Sequence, residues 1–185
     1  TLYPAVYSEI ERMVTERSPE REAYIEQIKK LLEQELAAAH VHCTITGRPK
    51  HYYSIYQKMI LRGRDFEDIY DLIGLRVLVD EVQDCYTALG VANTIFTPIQ
   101  GRIKDYIATP KFNLYQSIHT TVFGPGDKTV EVQIRTYDMH RRAEFGVAAH
   151  WRYKENPNQT SGSVPQSAQD TQLEWLRQLV DWQRE

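Results

Sequence analysis

Thr129-Val130-Glu131-Val132-Gln133-Ile134-Arg135 alternates residue by residue, sending Val130, Val132 and Ile134 to one side of an extended chain and Glu131, Gln133 and Arg135 to the other. The turn signal Gly124-Pro125-Gly126-Asp127 precedes it, and Ile118-His119-Thr120-Thr121 lies before the turn, so 118–135 reads as a hairpin. One face of that hairpin is apolar and must be covered. The other carries Glu131 in mid-strand, where an ordinary solvent-facing glutamate and a working carboxylate are both open readings.

Outward from the hairpin, Leu75-Arg76-Val77-Leu78-Val79 reads as a core strand and Val82 to Phe96 as a helix ending before Pro98. Asp65 to Leu72 reads as a short acidic helix closed by Gly74. Val41 to Thr46 alternates Val/Cys/Ile against His/Thr/Thr, a half-buried strand that Gly47-Arg48-Pro49 ends before a helix from Lys50 to about Leu61. At the N-terminal side, 5–17 and 20–39 read as two helices, the second opening at Ser18-Pro19 with Ser18 as cap and Pro19 in the first turn. A helix from about Asp138 to Tyr153 follows the hairpin. The order of elements gives an α+β class with a mixed sheet of about five strands flanked by helices. The expected organisation is an N-terminal helical segment over 1–40, a catalytic domain over 41–155, a flexible Asn/Gln/Ser/Pro/Gly-rich linker over 156–170 and a C-terminal amphipathic helix over 171–185.

At 185 residues with 42% hydrophobic side chains, the chain can bury one substantial core. A net charge of −3 and a pI near 6.1 argue against a general polyanion-coating protein, so phosphate recognition has to be local. Two cysteines without a CxxC spacing, no apolar run long enough for a membrane span and no signal-peptide pattern imply a reduced, cytoplasmic setting. The absent initiator Met suggests a piece of a longer chain.

Local phosphate chemistry is what the charged clusters offer. Arg48 and Lys50 follow a Gly-containing strand-to-helix turn, and Lys50, Ser54 and Lys58 form one basic stripe at helical spacing. Arg102, Lys104 and Lys111 flank a loop opposed only by Asp105, while Asn113, Tyr115 and His119 share one side of an extended segment and could meet a base with a ring and hydrogen-bonding groups. Asp71, at the end of the acidic helix, and Glu131 are two carboxylates that could share a Mg²⁺. There is no Walker loop, GxGxxG, HExxH, GxSxG or His-Asp dipeptide, which disfavours the corresponding folds and chemistries.

Taken together, Gly47-Arg48-Pro49-Lys50-His51, Asp71-Leu72-Ile73-Gly74-Leu75-Arg76, Arg102-Ile103-Lys104-Asp105-Tyr106, Asn113-Leu114-Tyr115-Gln116-Ser117-Ile118-His119-Thr120 and Glu131-Val132-Gln133-Ile134-Arg135 resemble the synthetase domain of RelA/SpoT-family (p)ppGpp synthetases, or GTP pyrophosphokinases. The Trp175-Leu176-Arg177-Gln178-Leu179 segment resembles the helix that follows that domain. The resemblance implies a nucleotidyltransferase fold related to the polymerase-β palm. It also implies Mg²⁺-dependent transfer of the β,γ-diphosphate of ATP to the ribose 3′-hydroxyl of GDP or GTP, giving AMP and ppGpp or pppGpp.

By motif position, Asp71 and Glu131 would be the catalytic Mg²⁺ ligands, with Glu131 also the base for the 3′-hydroxyl. Arg48, Lys50, Ser54 and Arg76 would hold ATP. Lys104, Lys111, Asn113, Tyr115, His119 and Gln133 would hold GDP or GTP, with Tyr115 stacking on guanine. The Arg-Ile-Lys-Asp form of the basic loop resembles that of bifunctional synthetase-hydrolases. It implies a hydrolase domain in a longer parent chain; the family resemblance further implies neighbouring regulatory domains and a ribosome contacted only through that parent, and the lack of a long apolar run implies no membrane partner. Two rival readings are a catalytically silent guanine-nucleotide-binding regulatory domain, disfavoured because a sensor needs no pair of carboxylates, and an RNA-binding module, disfavoured by the acidic pI.

Overall fold

The computed structural model describes residues 4–48, 52–70, 72–111 and 115–145. Lys50, Asp71 and Asn113, the expected linker and C-terminal helix, and the end of the helix expected to reach Tyr153 lie outside the described residues. The sheet is built from β1 (Cys43–Gly47), β2 (Ile73–Val79), β3 (Thr97–Pro98), β4 (Lys104–Asp105), β5 (Ile118–Phe123) and β6 (Thr129–Thr136). The helices are α1 (Pro4–Ala38), α2 (Tyr52–Arg62), α3 (Phe66–Tyr70), α4 (Val82–Ile95) and a last helical stretch, α5, over 137–145.

The strand order is β1-β2-β6-β5-β3, with β4 also paired to β5. Among the described residues only β2 and β6 run parallel; β1/β2, β5/β6, β3/β5 and β4/β5 are antiparallel. Among the described residues the sheet has six strands, against the five or so expected, because β3 and β4 are two residues each and too short to show a period. Pro98 sits in β3 at the sheet edge, where a missing N–H costs no ladder bond.

Register sorts the side chains into two faces. Ile73, Leu75 and Val77 stand beside Val130, Val132 and Ile134, which stand in turn beside Val122, Thr120 and Ile118. These rows are buried under α1 and α4, whose Ile25, Ile28, Leu32, Leu36, Cys85, Ala88 and Ala92 complete the main core. Fully burying side chains such as Ile28 or Leu36 contributes roughly 1.5–3 kcal/mol each. The buried Thr120 is satisfied by its bond to Asn93 Oδ1 of α4 at 3.1 Å.

Where two N-terminal helices were expected, α1 runs unbroken through Pro19. An interior proline forfeits one helix bond and clashes with the preceding turn, a cost of about 3 kcal/mol. Packing on both sides of it offsets that cost. Ile10 belongs to a second core with Ile55, Tyr56, Phe66 and Ile69 of α2 and α3, while Tyr24 to Leu36 belong to the sheet core. Ser18-Pro19 has the composition of a helix start, but tertiary burial overrides it.

The first strand also begins later than its alternation suggests. His40 at φ 59° donates to Ala37 O, and Val41 donates to Leu36 O, so both residues close α1 as a left-handed helix cap before β1 begins at Cys43. At the other end of the molecule, Tyr24 Oη donates to Pro125 O at 2.8 Å, pinning α1 to the hairpin turn. A Cβ on Gly124 would come within 2.6 Å of that hydroxyl, so the contact requires glycine there.

Candidate active site

The second face of the sheet is polar and is not covered by α1 or α4. One row runs Thr46, Arg76, Gln133, His119, Lys104 across five strands, and the next holds Gly74, Glu131 and Thr121. Seven of the site residues expected from sequence are thus on the sheet or its borders: Arg48, Arg76, Lys104, Tyr115, His119, Glu131 and Gln133. Lys111 closes the set through its electrostatic effect on His119.

Glu131 is held by Arg48, whose Nη1 donates to Oε1 at 3.1 Å; about a third of each side chain remains exposed. Gly74 makes this possible. It lies beside Glu131 in the parallel register, accepts the Arg48 N–H through its carbonyl at 2.8 Å, and leaves space for the Arg48 stem, whose Cβ is 3.2 Å from where a Gly74 Cβ would stand. The sequence marks Gly74 as the end of the acidic helix, but its use is as a passage for an arginine.

The next row is a directed hydrogen-bond chain. Arg76 Nε can only donate, so at 3.0 Å from Gln133 it must face the amide oxygen. Gln133 Nε2 then points at Tyr115 Oη and donates to it. The Tyr115 hydroxyl is left to donate to His119 Nε2, 3.1 Å away. His119 accepts because it is neutral at ordinary pH: burial, reinforced by Arg48, Lys111 and Lys104 and opposed by Glu131, pulls its pKa down to about 4. Although it faces the polar side, Gln133 is only 2% exposed, and both ends of its amide are used inside the protein.

Arg135, one step along β6, is likewise buried. Its Nη2 donates to His140 Nδ1 at 2.5 Å, which leaves the ring proton on Nε2, 3.5 Å from Glu144 Oε1. Burial lowers the pKa of both Arg135 and Arg76, and neighbouring arginines add to it. Lys58 of α2 lies in the field of Glu131 on one hand and of Arg62, Arg64 and Arg48 on the other; desolvation is the largest cause of its lowered pKa. Ser54 is exposed on α2 one turn ahead of Lys58. Lys58 was legible only as part of a basic stripe, and its proximity to Glu131, 73 positions on in the numbering, comes from the fold.

Around the basic loop, Asp105 does not oppose the cations as its charge suggested. Its Oδ1 accepts from the N–H groups of Ile107 and Ala108, both at 2.9 Å, and its Oδ2 accepts from Tyr86 Oη at 2.8 Å. Those bonds, set against the desolvation of the group, leave its pKa below the usual carboxylate value. Asp105 is therefore a brace for the segment that presents Lys104.

A mixed sheet with α1 and α4 on one face and, on the other, the Glu131 carboxylate among Arg48 and Lys58 beside an aromatic corner is a nucleotidyltransferase-like arrangement, suited to handling phosphates. The chain belongs to the family described as "Region found in RelA / SpoT proteins", which matches residues 47–158. It is 56% identical over 194 residues to a GTP pyrophosphokinase of Streptomyces coelicolor and 52% identical over 185 residues to the bifunctional (p)ppGpp synthase/hydrolase RelA of Mycobacterium tuberculosis. Each alignment takes in 100% of this chain but 23% and 25% of those relatives, so the chain spans about a quarter of their length. Among solved structures, the small alarmone synthetase 1 of Bacillus subtilis, bound to its product pppGpp, superimposes with a TM-score of 0.60 at 22% identity. That match covers 92% of this chain and 91% of the other and establishes the shared fold.

Proposed function

We propose that this chain is a (p)ppGpp synthetase domain, transferring the β,γ-diphosphate of ATP to the 3′-hydroxyl of GDP or GTP. The observation that carries the reading is Glu131. It is a half-buried carboxylate on the open sheet face, with Arg48 and Lys58 on one side and the Arg76–Gln133–Tyr115–His119 chain on the other. Family membership and the GTP pyrophosphokinase relatives support it.

Two polyphosphates bring about seven negative charges together, and unit charges 4 Å apart repel by about 4 kcal/mol at an effective dielectric near 20. Arg48, Lys58 and Arg76 would offset that repulsion for ATP, and Lys104 and Lys111 for the acceptor. Tyr115 would stack on guanine, its hydroxyl already anchored by Gln133 and His119. Glu131 would take the proton of the 3′-hydroxyl as its oxygen attacks the β-phosphorus in line and AMP leaves. Holding both nucleotides aligned can supply roughly 7–11 kcal/mol of the barrier.

A hard carboxylate oxygen among phosphate-binding cations also fits Mg²⁺, which uses one or two carboxylates and completes its shell with substrate phosphates. Glu131, with Asp71 as the second ligand implied by the motif, would hold the ion, and it would supply charge neutralisation at the transferred group. The Arg48–Glu131 pair is a resting contact that substrate can displace, since an ion pair this exposed is worth only about 0–1 kcal/mol.

The parent protein would be a longer cytoplasmic enzyme carrying hydrolase and regulatory domains, with any ribosome contact made through those parts. The test is incubation with γ-labelled ATP, GDP or GTP and Mg²⁺, beside Glu131→Gln. Label in a guanosine tetra- or pentaphosphate that depends on Glu131 is expected. Guanine-nucleotide binding without any transfer would favour a silent regulatory domain instead.

A further inference from the structure

Three groups assigned above to the acceptor nucleotide meet at one ring that the assignment leaves without a role. Lys111 Nζ lies 4.6 Å from the centroid of Tyr106. The His119 ring stands edge-on to it at 5.5 Å and 87°, and the Tyr115 ring is 6.4 Å away at 63°. The ring itself is fixed from the backbone. Tyr106 N–H donates to Ser117 O at 2.9 Å, and the preceding Asp105 is tied to Ile107, Ala108 and Tyr86. Ser117 is buried and donates through Oγ to Ile134 O at 3.1 Å, which connects the support to β6.

We infer that Tyr106, through its ring and not its hydroxyl, positions Lys111 and Tyr115 and so sets the affinity for the guanine nucleotide acceptor without setting that for ATP. The inference rests on the proposed synthetase reading. A lysine on a flexible four-carbon stem loses rotamer freedom when it grips a phosphate. An aromatic face that already holds its ammonium removes part of that loss before the ligand arrives. The same ring limits where the Tyr115 and His119 rings can stand, so the stacking surface and the phosphate cation are kept in register with each other. Arg76 stands on β2, two strands from β5, and reaches Tyr115 through the Gln133 amide, while Arg48 is bonded to Glu131 in the next row; Lys111 and the Tyr115 ring meet Tyr106 itself, so the effect falls chiefly on the acceptor.

The test compares Tyr106→Leu and Tyr106→Phe in the full chain, measuring KM for GDP and for ATP, kcat, and the Kd of GDP alone by calorimetry. Losing the cation–ring and ring–ring contacts should raise the KM and Kd for GDP about tenfold in Tyr106→Leu. The KM for ATP should stay within about twofold and kcat within about threefold, and Tyr106→Phe should keep GDP affinity within about threefold, because the ring remains. Parallel rises in both KM values would make Tyr106 mere scaffold, and equal damage in Phe and Leu would put the role on the hydroxyl; either result overturns the inference. Should the unsubstituted chain neither bind nor use GDP, the synthetase reading falls together with this one. With a working unsubstituted chain and no dependence on the ring, only the role of Tyr106 falls.

Discussion

Substituting Gly74 probes the join between the sheet and Arg48. A Cβ at position 74 would stand 3.2 Å from Arg48 Cβ, 3.6 Å from Cδ and 3.8 Å from Cγ. Arg48 cannot simply retreat, because its own N–H is bonded to Gly74 O at 2.8 Å. For Gly74→Ala the stem must yield by a few tenths of an ångström, at the low end of the roughly 1–3 kcal/mol that overpacking costs, and the stiffer unfolded chain returns about 0.4–1 kcal/mol. The net change in stability should be within about 1 kcal/mol. In Gly74→Val two further methyls fall where the stem runs, so a loss of about 2 kcal/mol is expected, together with displacement of the guanidinium from Glu131. Urea denaturation gives the first quantity. Calorimetry with a non-hydrolysable ATP analogue gives the second, and affinity should fall about tenfold in Val, which is about 1.4 kcal/mol, with GDP affinity little changed. A Gly74→Val protein as stable as the unsubstituted chain, with ATP-analogue affinity intact, would refute the claim that Gly74 is the passage for Arg48.

His119 should make stability pH-dependent. Its pKa is about 4 in the fold against an ordinary value of 6.5, so the unfolded chain binds more protons between those values and stability falls as pH drops from 6.5 towards 4. The full difference sets a ceiling of about 3 kcal/mol, and partial solvent access reduces it to roughly 1–2 kcal/mol. Denaturation at pH 7.5 and 4.5 should show that extra loss in the unsubstituted chain relative to His119→Asn, and identical pH profiles would contradict it. Gln133→Met keeps the length of the side chain but breaks both Arg76 and Tyr115 bonds, and should cost about 2 kcal/mol of stability while raising the KM for guanine nucleotide more than that for ATP. An unaltered KM would mean that Tyr115 needs no anchoring. Pro19→Ala should stabilise the chain by about 1–3 kcal/mol in thermal or urea unfolding, since it restores a helix bond; a loss would show that Pro19 helps direct the two halves of α1 to their separate cores.

What could be read in the sequence was whatever a short-range period carries. Alternation placed Glu131, Gln133 and Arg135 together on one face of β6, and helical spacing placed Ser54 and Lys58 on one side of α2. Alternation could not say that Gln133 and Arg135 would be buried there, because that depends on Arg76, Tyr115 and His140 arriving from other elements. The function of Gly74 depends on the parallel register with β6, which only the crossover between β2 and β6 sets. Asp105 read as a lone acid among cations, and its partner Tyr86 is 19 residues away on α4. Ser18-Pro19 read as a helix start because capping signals are local, whereas the burial that carries α1 through Pro19 involves α2, α3 and the sheet.

The most direct test of the account uses ATP labelled at the β-phosphate, incubated with the full chain, GDP and Mg²⁺, with Glu131→Gln in parallel. Diphosphate transfer predicts the β-label in a guanosine tetraphosphate, unlabelled AMP in equal amount, and neither product from Glu131→Gln. A label that stays in ADP while only the γ-phosphate moves, or transfer that persists in Glu131→Gln, would contradict it.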